Sequence, residues 1–327
     1  MKHALKILAI VLTLALVCCA FIFTTSAAEV DSVSTLSEPW QYTDSSGSVK
    51  TAASLKTAVS GAKTGSTVKL LADQTVSWDS QEVYITKALT IDLNGHTFMM
   101  SQGAQSPIGL STTSLVTFKN GTLVACGNSS FGTKNTGYAI FRTSTANTNL
   151  KLENVNTYSS CVLISGWANA PTLTIDGGEH YLVFSLAHMM GGGLLETRYA
   201  ATLDVTGATV YISNGSGALN AHSFNSTLED KQIDASFTGC KLISSDGVKS
   251  VLGYANENTK ITFEGCEIYG SITTTVSSED AKKEYGPIKN GNIILGGCTL
   301  WGGAAGATMS EAVVCKSGDS IINIDEY

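Results

Sequence analysis

From Val68 onward, apolar and polar positions alternate in short runs bounded by glycine or asparagine. That period of two is the mark of strands with one buried face. One phrase recurs: apolar, any, apolar, any, Gly or Asn, small residue, any, apolar. It reads Leu89-Thr90-Ile91-Asp92-Leu93-Asn94-Gly95, Val116-Thr117-Phe118-Lys119-Asn120-Gly121, Leu150-Lys151-Leu152-Glu153-Asn154-Val155 and Leu173-Thr174-Ile175-Asp176-Gly177-Gly178. It continues in Leu203-Asp204-Val205-Thr206-Gly207-Ala208, Ala235-Ser236-Phe237-Thr238-Gly239-Cys240, Ile261-Thr262-Phe263-Glu264-Gly265-Cys266 and Ile293-Ile294-Leu295-Gly296-Gly297-Cys298. Between Gly121 and Cys298 it returns after 34, 23, 30, 32, 26 and 32 residues. Alternation inside the phrase with a supersecondary period across phrases predicts a solenoid of about eight coils. A sandwich would show strand signals about every 8–12 residues without a fixed phrase.

A second column of strands precedes each long return, at 139–142, 162–165, 194–197, 218–221, 251–254 and 313–316. Two strands per coil require at least two parallel sheets. Only residues 52–62 carry a helical period, with Leu55, Ala58, Val59 and Ala62 on one face. So short and weakly apolar a helix suits a cap on the end of the solenoid. The expected fold is all-β, a parallel β-helix with a short N-terminal capping helix.

Stacking adds a constraint that period alone does not. Coils repeat at about 4.8 Å, so matched positions of successive coils lie on top of one another. Cys240, Cys266 and Cys298 share one slot in three successive phrases. They are expected to form an internal column of reduced thiols, since free cysteine behaves as a small buried hydrophobe. A disulfide between neighbours would have to meet strict geometry.

Composition changes the picture mainly by exclusion. The chain has 327 residues, 14% of them charged, a net charge of −7, and only two arginines, Arg142 and Arg198. With no basic patch, nucleic acid is not an expected partner. Lys2, His3 and Lys6, the apolar run from Ile7 to Phe23, and the small residues before Glu29 read as a secretory signal peptide. Residues 1–28 are therefore expected to be removed, 29–50 to form a flexible lead-in, and 51–327 to form the β-helix domain. No further hydrophobic span follows, so the mature chain is expected to be secreted or held at the cell surface, without crossing the membrane.

Three passages carry a family resemblance: Ser54-Leu55-Lys56-Thr57-Ala58-Val59, Gly65-Ser66-Thr67-Val68-Lys69-Leu70 and Thr90-Ile91-Asp92-Leu93-Asn94-Gly95-His96-Thr97. They resemble the amino-terminal cap and first coil of pectin-lyase-like right-handed parallel β-helix proteins. The style is that of bacterial secreted and surface members without assigned activity. The resemblance implies a right-handed β-helix over residues 51–327. Its pectate lyases and polygalacturonases cleave acidic polysaccharides, but this chain has no Asp-Asp dipeptide and no Arg-Ile-Lys. No catalytic residue carries over.

Two constellations follow from the residues themselves. Glu153, Asp176 and Asp204 lie at outward positions of successive phrases, with Lys151 beside them. Stacked carboxylates repel, raise a pKa, or hold a hard cation, here calcium, the one cofactor the pattern offers. Two carboxyls about 5 to 9 Å apart would also suit a glycosidase. With Leu195 and Leu219 inward, the second column instead presents Glu196, Arg198, Asn220 and His222, with Trp167 and Tyr199 just beyond the strands. Such a rim binds a sugar, Arg198 pairing with an acidic group and Trp167 or Tyr199 stacking on a ring. Catalysis there would fall to Glu196 or His222 as base. Leu194 and Leu195 are both apolar, and a one-residue slip reverses this assignment.

The expected role is an exported scaffold that binds a polysaccharide or cell-surface glycan. A polysaccharide lyase or glycoside hydrolase and a structural spacer of a larger surface protein are the alternatives. Ordered aromatics along one outer face would favour binding. The C-terminal pattern, Ser320 to Asp325, ends without a cap, and its open edge is expected to meet a partner or a further domain.

Overall fold

The computed structural model describes residues 36–77, 82–101, 107–126, 139–159, 162–166, 171–183, 193–197, 200–213, 219–221, 233–244, 259–269, 272–273, 293–301, 304–305, 308–309 and 314–316. It is an all-β molecule built mostly of parallel strands in stacked sheets. Each recurring phrase is a strand, a tight corner and a second strand. The described strands of successive phrases pair in parallel with one another.

Three stacks result. The first runs through Thr67–Leu70, Leu89–Asp92, the leading half of Leu115–Cys126, the leading half of Asn149–Ser159, Thr172–Asp176, Ala201–Thr206, Ile233–Thr238, Thr259–Glu264 and Ile293–Gly296. The second lies just past the corner, from Gln74–Ser77 to Val314–Lys316. The third stack is Val83–Ile85, Ile108–Leu110, Ala139–Thr143, Val162–Gly166, Gly193–Thr197 and Leu219–Ala221. It holds four strands of the column expected from the sequence. Of the other two, 251–254 lies outside the described residues. Val314–Lys316 belongs instead to the second stack, against Thr299–Trp301. Its Val-Val-Cys pattern resembles that of the third-stack strands, and alternation alone does not distinguish two sheets with the same period.

The corners explain the phrase. Asn94, Asn120 and Asn154 have φ between 51° and 56°, and Gly177, Gly207, Gly239, Gly265 and Gly297 have φ between 58° and 71°. All but Asn94 occupy one slot, where the chain turns from first to second stack in a left-handed conformation that asparagine tolerates and glycine adopts freely; Asn94 lies one position later, in a corner two residues longer. The next slot faces inward. Val155 there lies between Gly121 and Gly178, and a Cβ on Gly178 would come within 2.2 Å of the Val155 carbonyl oxygen.

The core is one interior column after another. Leu89, Val116, Leu150, Leu173, Leu203, Ala235 and Ile261 line up, as do Ile91, Phe118, Leu152, Ile175, Val205, Phe237 and Phe263, all buried. At about 25 cal/mol per Å² of apolar surface removed from water, each such side chain contributes roughly 1.5–3 kcal/mol.

The N-terminal end is closed by helix α1, Leu55–Gly61, which buries Leu55, Ala58 and Val59. Ser54 starts it by accepting the Thr57 N–H at 3.2 Å. Lys87 finishes it, donating from Nζ to the carbonyls of Ser60 and Ala62. Within the stretch read as a lead-in, Trp40–Thr43 forms a strand antiparallel to both Val49–Ala52 and Thr67–Leu70. Trp40 is fully buried, its ring edge-on to Phe98 with centroids 5.2 Å apart.

Candidate functional site

Leu194 and Leu195 are both fully buried, and pairing places Leu195 opposite Ile164. Val83, Ile108, Phe141, Ile164, Leu195 and Leu219 share one column, buried from Val83 to Leu195. The neighbouring column is Tyr84, Gly109, Arg142, Ser165, Glu196 and Asn220. Where its side chains are described they face outward: Tyr84 is 45% exposed and Arg142 is half-buried between buried Phe141 and Thr143. Glu196 and Asn220 thus hold neighbouring positions in the same column as Arg142 and Tyr84. Arg198, Trp167, Tyr199 and His222 lie outside the described residues.

Gly109 shapes this column. The Tyr84 ring lies over it, and a Cβ there would come within 2.6 Å of Tyr84 Cδ1. Tyr84 donates its hydroxyl hydrogen to Glu82 Oε1 at 2.7 Å, which raises the phenol pKa, and Arg142 acts electrostatically in the opposite sense. Among the described residues no carboxylate forms an ion pair with Arg142. A ring laid on backbone and a guanidinium with no carboxylate partner among the described residues therefore share one outer strip. On the other side of Tyr84, a cavity of about 260 Å³ is lined by Lys56, Ser60, Glu82, Tyr84 and Lys87, among others.

The acidic column is arranged differently from the expectation. Glu153 and Asp176 are direct neighbours, but Asp204 is aligned with Thr174 and Lys151, two positions back. The cause is that Asp204 follows the first apolar residue of its phrase, whereas Glu153 and Asp176 follow the second. Lys151 Nζ bridges the pair, at 2.9 Å from Glu153 Oε2 and 3.6 Å from Asp176 Oδ2. Hydrogen bonding to Glu153 holds the lysine pKa above its ordinary value. Asp204 Oδ1 accepts from Ser236 Oγ at 2.7 Å. Among the described residues no three His, Cys, Asp or Glu side chains converge closely enough to hold a metal ion.

A third outer feature escaped the sequence reading. Tyr158, Tyr181 and Tyr211 are aligned in the second stack. Their rings stack with centroids 4.6 and 4.3 Å apart and planes within 5° of parallel. Ile243, Tyr269 and Trp301 continue the column. The signal was available: in these phrases an aromatic residue stands three positions after the small residue that follows the corner. Burial and a hydrogen bond to Glu179 raise the Tyr181 phenol pKa, and burial raises that of Tyr211.

Inside the same stack lies a polar pair. His180 is fully buried, its Nδ1 2.9 Å from Thr157 Oγ1 and its Nε2 3.2 Å from the Gly177 carbonyl. Burial lowers its pKa to about 4, so the ring is neutral at pH 7.

Set against protein-family models, curated proteins and solved structures, the chain matches none. No helix among the described residues is long and apolar enough to cross a membrane.

Proposed function

We propose that the chain is an exported right-handed parallel β-helix of the pectin-lyase-like kind that binds an acidic polysaccharide at the cell surface. The observation that carries this reading is the outer strip of the third stack, where Tyr84 lies on Gly109 beside Arg142, which pairs with no carboxylate among the described residues. A guanidinium recognises a carboxylate through two parallel charge-assisted hydrogen bonds, and an aromatic ring supplies apolar contact to the C–H face of a sugar. Tyr84 and Arg142 stand on strands two apart, but the Tyr84 ring leans over Gly109 on the strand between, which brings it next to the Arg142 strand. Charge complementarity is local, since the chain as a whole is acidic. The strip serves a scaffold well because parallel pairing above and below holds its backbone rigid, which limits the entropy lost on binding.

Retention of the protein on immobilised uronate-bearing and neutral polysaccharides tests the proposal, with a product assay run alongside. The uronate polymer should retain the wild type, and Arg142→Ala and Tyr84→Ala should each weaken retention. A folded double variant that binds as well as wild type would overturn this site. Release of unsaturated or reducing ends would move the reading to a lyase or hydrolase.

A second reading, a structural spacer, draws on the tyrosine column of the second stack. There Tyr158, Tyr181 and Tyr211 turn their ring faces to one another, so stacking that would otherwise hold a ligand is spent within the protein. Unchanged binding in Tyr181→Ala alongside reduced stability would assign that face to structure.

A further inference from the structure

The thiol column is a second arrangement of reactive side chains, independent of the glycan strip. Cys240, Cys266 and Cys298 are all free and 1–2% exposed. The strands that follow them pair Lys241 with Glu267 and Glu267 with Thr299, so the three thiols stand one strand apart. Each sulfur also occupies the same cradle. Cys240 donates to the Val205 carbonyl at 3.3 Å, Cys266 to Phe237 at 3.2 Å and Cys298 to Phe263 at 3.4 Å.

Each sulfur also lies close to the carbonyl two residues before it, Cys240 at 3.4 Å from Thr238, Cys266 at 3.5 Å from Glu264 and Cys298 at 3.3 Å from Gly296. The column therefore repeats one thiol environment on three successive strands.

We propose that this column is a two-coordinate site for a soft monovalent d10 cation, Cu(I) or Ag(I), held between Cys266 and one of its neighbours. Thiolates select such cations over harder ones. Metal–thiolate bonds of about 2.3 Å give a linear sulfur–metal–sulfur span of about 4.6 Å. That span matches the spacing of about 4.8 Å between adjacent parallel strands. A linear site needs two ligands, which fits a column with no third side chain converging on it among the described residues. The exchange balances: two S–H bonds lose protons, two sulfur–metal bonds form, two protons leave, and no electron is transferred. The bound pair carries one negative charge. Holding two phrases together through the metal, the site acts as a staple and stabilises the fold by mass action. Uptake into so enclosed a site requires local opening and is therefore slow.

Ag(I) titration of the full, reduced chain to equilibrium tests this, read by the ultraviolet thiolate-to-metal band, by proton release and by Tm. One tight equivalent, two protons per cation and a raised Tm are expected. Cys266→Ala should abolish the tight equivalent, because Cys240 and Cys298 then stand two strands apart. Cys240→Ala and Cys298→Ala should each retain it, since an adjacent pair remains. Alanine is tolerated in this slot, where Ala208 already sits. The double variant Cys240→Ala/Cys298→Ala leaves one thiol in the column and should behave as Cys266→Ala does. Tight binding that survives in Cys266→Ala or in the double variant would place the metal elsewhere and overturn the proposal. Failure of the folded wild type to take up silver would overturn it as well.

Discussion

The two halves of the molecule turn the same corner with different residues. Toward the N-terminus the left-handed slot is Asn120 and Asn154, with Asn94 turning the first corner one position later; from Gly177 on, every described occupant is glycine. The next slot differs as well, running Gly121, Val155, Gly178 in the first half and ending in Cys240, Cys266, Cys298 in the second. One half packs a large side chain between two glycines, and the other stacks three identical medium-sized ones. An interior column of a stacked structure has a fixed length per strand, so volume must average out along it. Alternating sizes and repeating one size are two solutions. The inner column of the second stack shows the same contrast. There Leu123, Thr157 and His180 are followed by Val210, Leu242, Ile268 and Leu300, a polar pair set into an aliphatic row.

The contrast breaks most severely at Gly178. Alanine there would place a Cβ 2.2 Å from the Val155 oxygen at φ +85°. Gly178→Ala should cost about 3–5 kcal/mol in urea unfolding. Gly239 sits at φ +58° with nothing within 4 Å of an added Cβ, so Gly239→Ala should cost only about 1–2 kcal/mol. Equal effects would contradict the account of the glycine–valine–glycine column.

The polar pair makes the first half sensitive to acid. The His180 pKa in the folded protein, about 4, lies below the ordinary value of 6.5. The unfolded chain therefore binds a proton first as pH falls. Stability from the neutral ring is complete above about pH 6.5 and declines toward pH 4, by about 3 kcal/mol. His180→Gln should remove the part of this slope above pH 5. An unaltered slope in the variant would assign the acid sensitivity to other groups.

The aromatic column separates structure from binding. Tyr181 stacks on two neighbours. Tyr181→Ala should therefore lose about 1–3 kcal/mol, by thermal or chemical unfolding, while leaving glycan retention intact. The smallest effects belong to the corner itself. Gly239→Asn puts the first half's solution into the second, and should stay within about 1 kcal/mol of wild type because asparagine tolerates the left-handed region. A larger loss would mean that the two halves are not interchangeable at this slot.

Much of this architecture was readable before any coordinates. Period-two alternation marks which residues of each phrase face the core, because side chains in a strand point to opposite faces by covalent geometry. Recurrent Asn or Gly marks the corners, because few other residues adopt positive φ. The shared slot of Cys240, Cys266 and Cys298 and the buried face of α1 follow from the same local rules. The neighbours of an outward residue do not. They are set by pairing between phrases, whose connecting segments differ in length, so alignment is decided by the backbone hydrogen bonds of the stack. The offset of Asp204 from Asp176 was legible in its place within the phrase, but Val314–Lys316 joins the second stack because pairing puts it there. Tyr84, Gly109 and Arg142, from three separate phrases, meet on one strip for the same reason. Local chemistry determines which way each side chain points, and only the tertiary pairing decides what it stands beside.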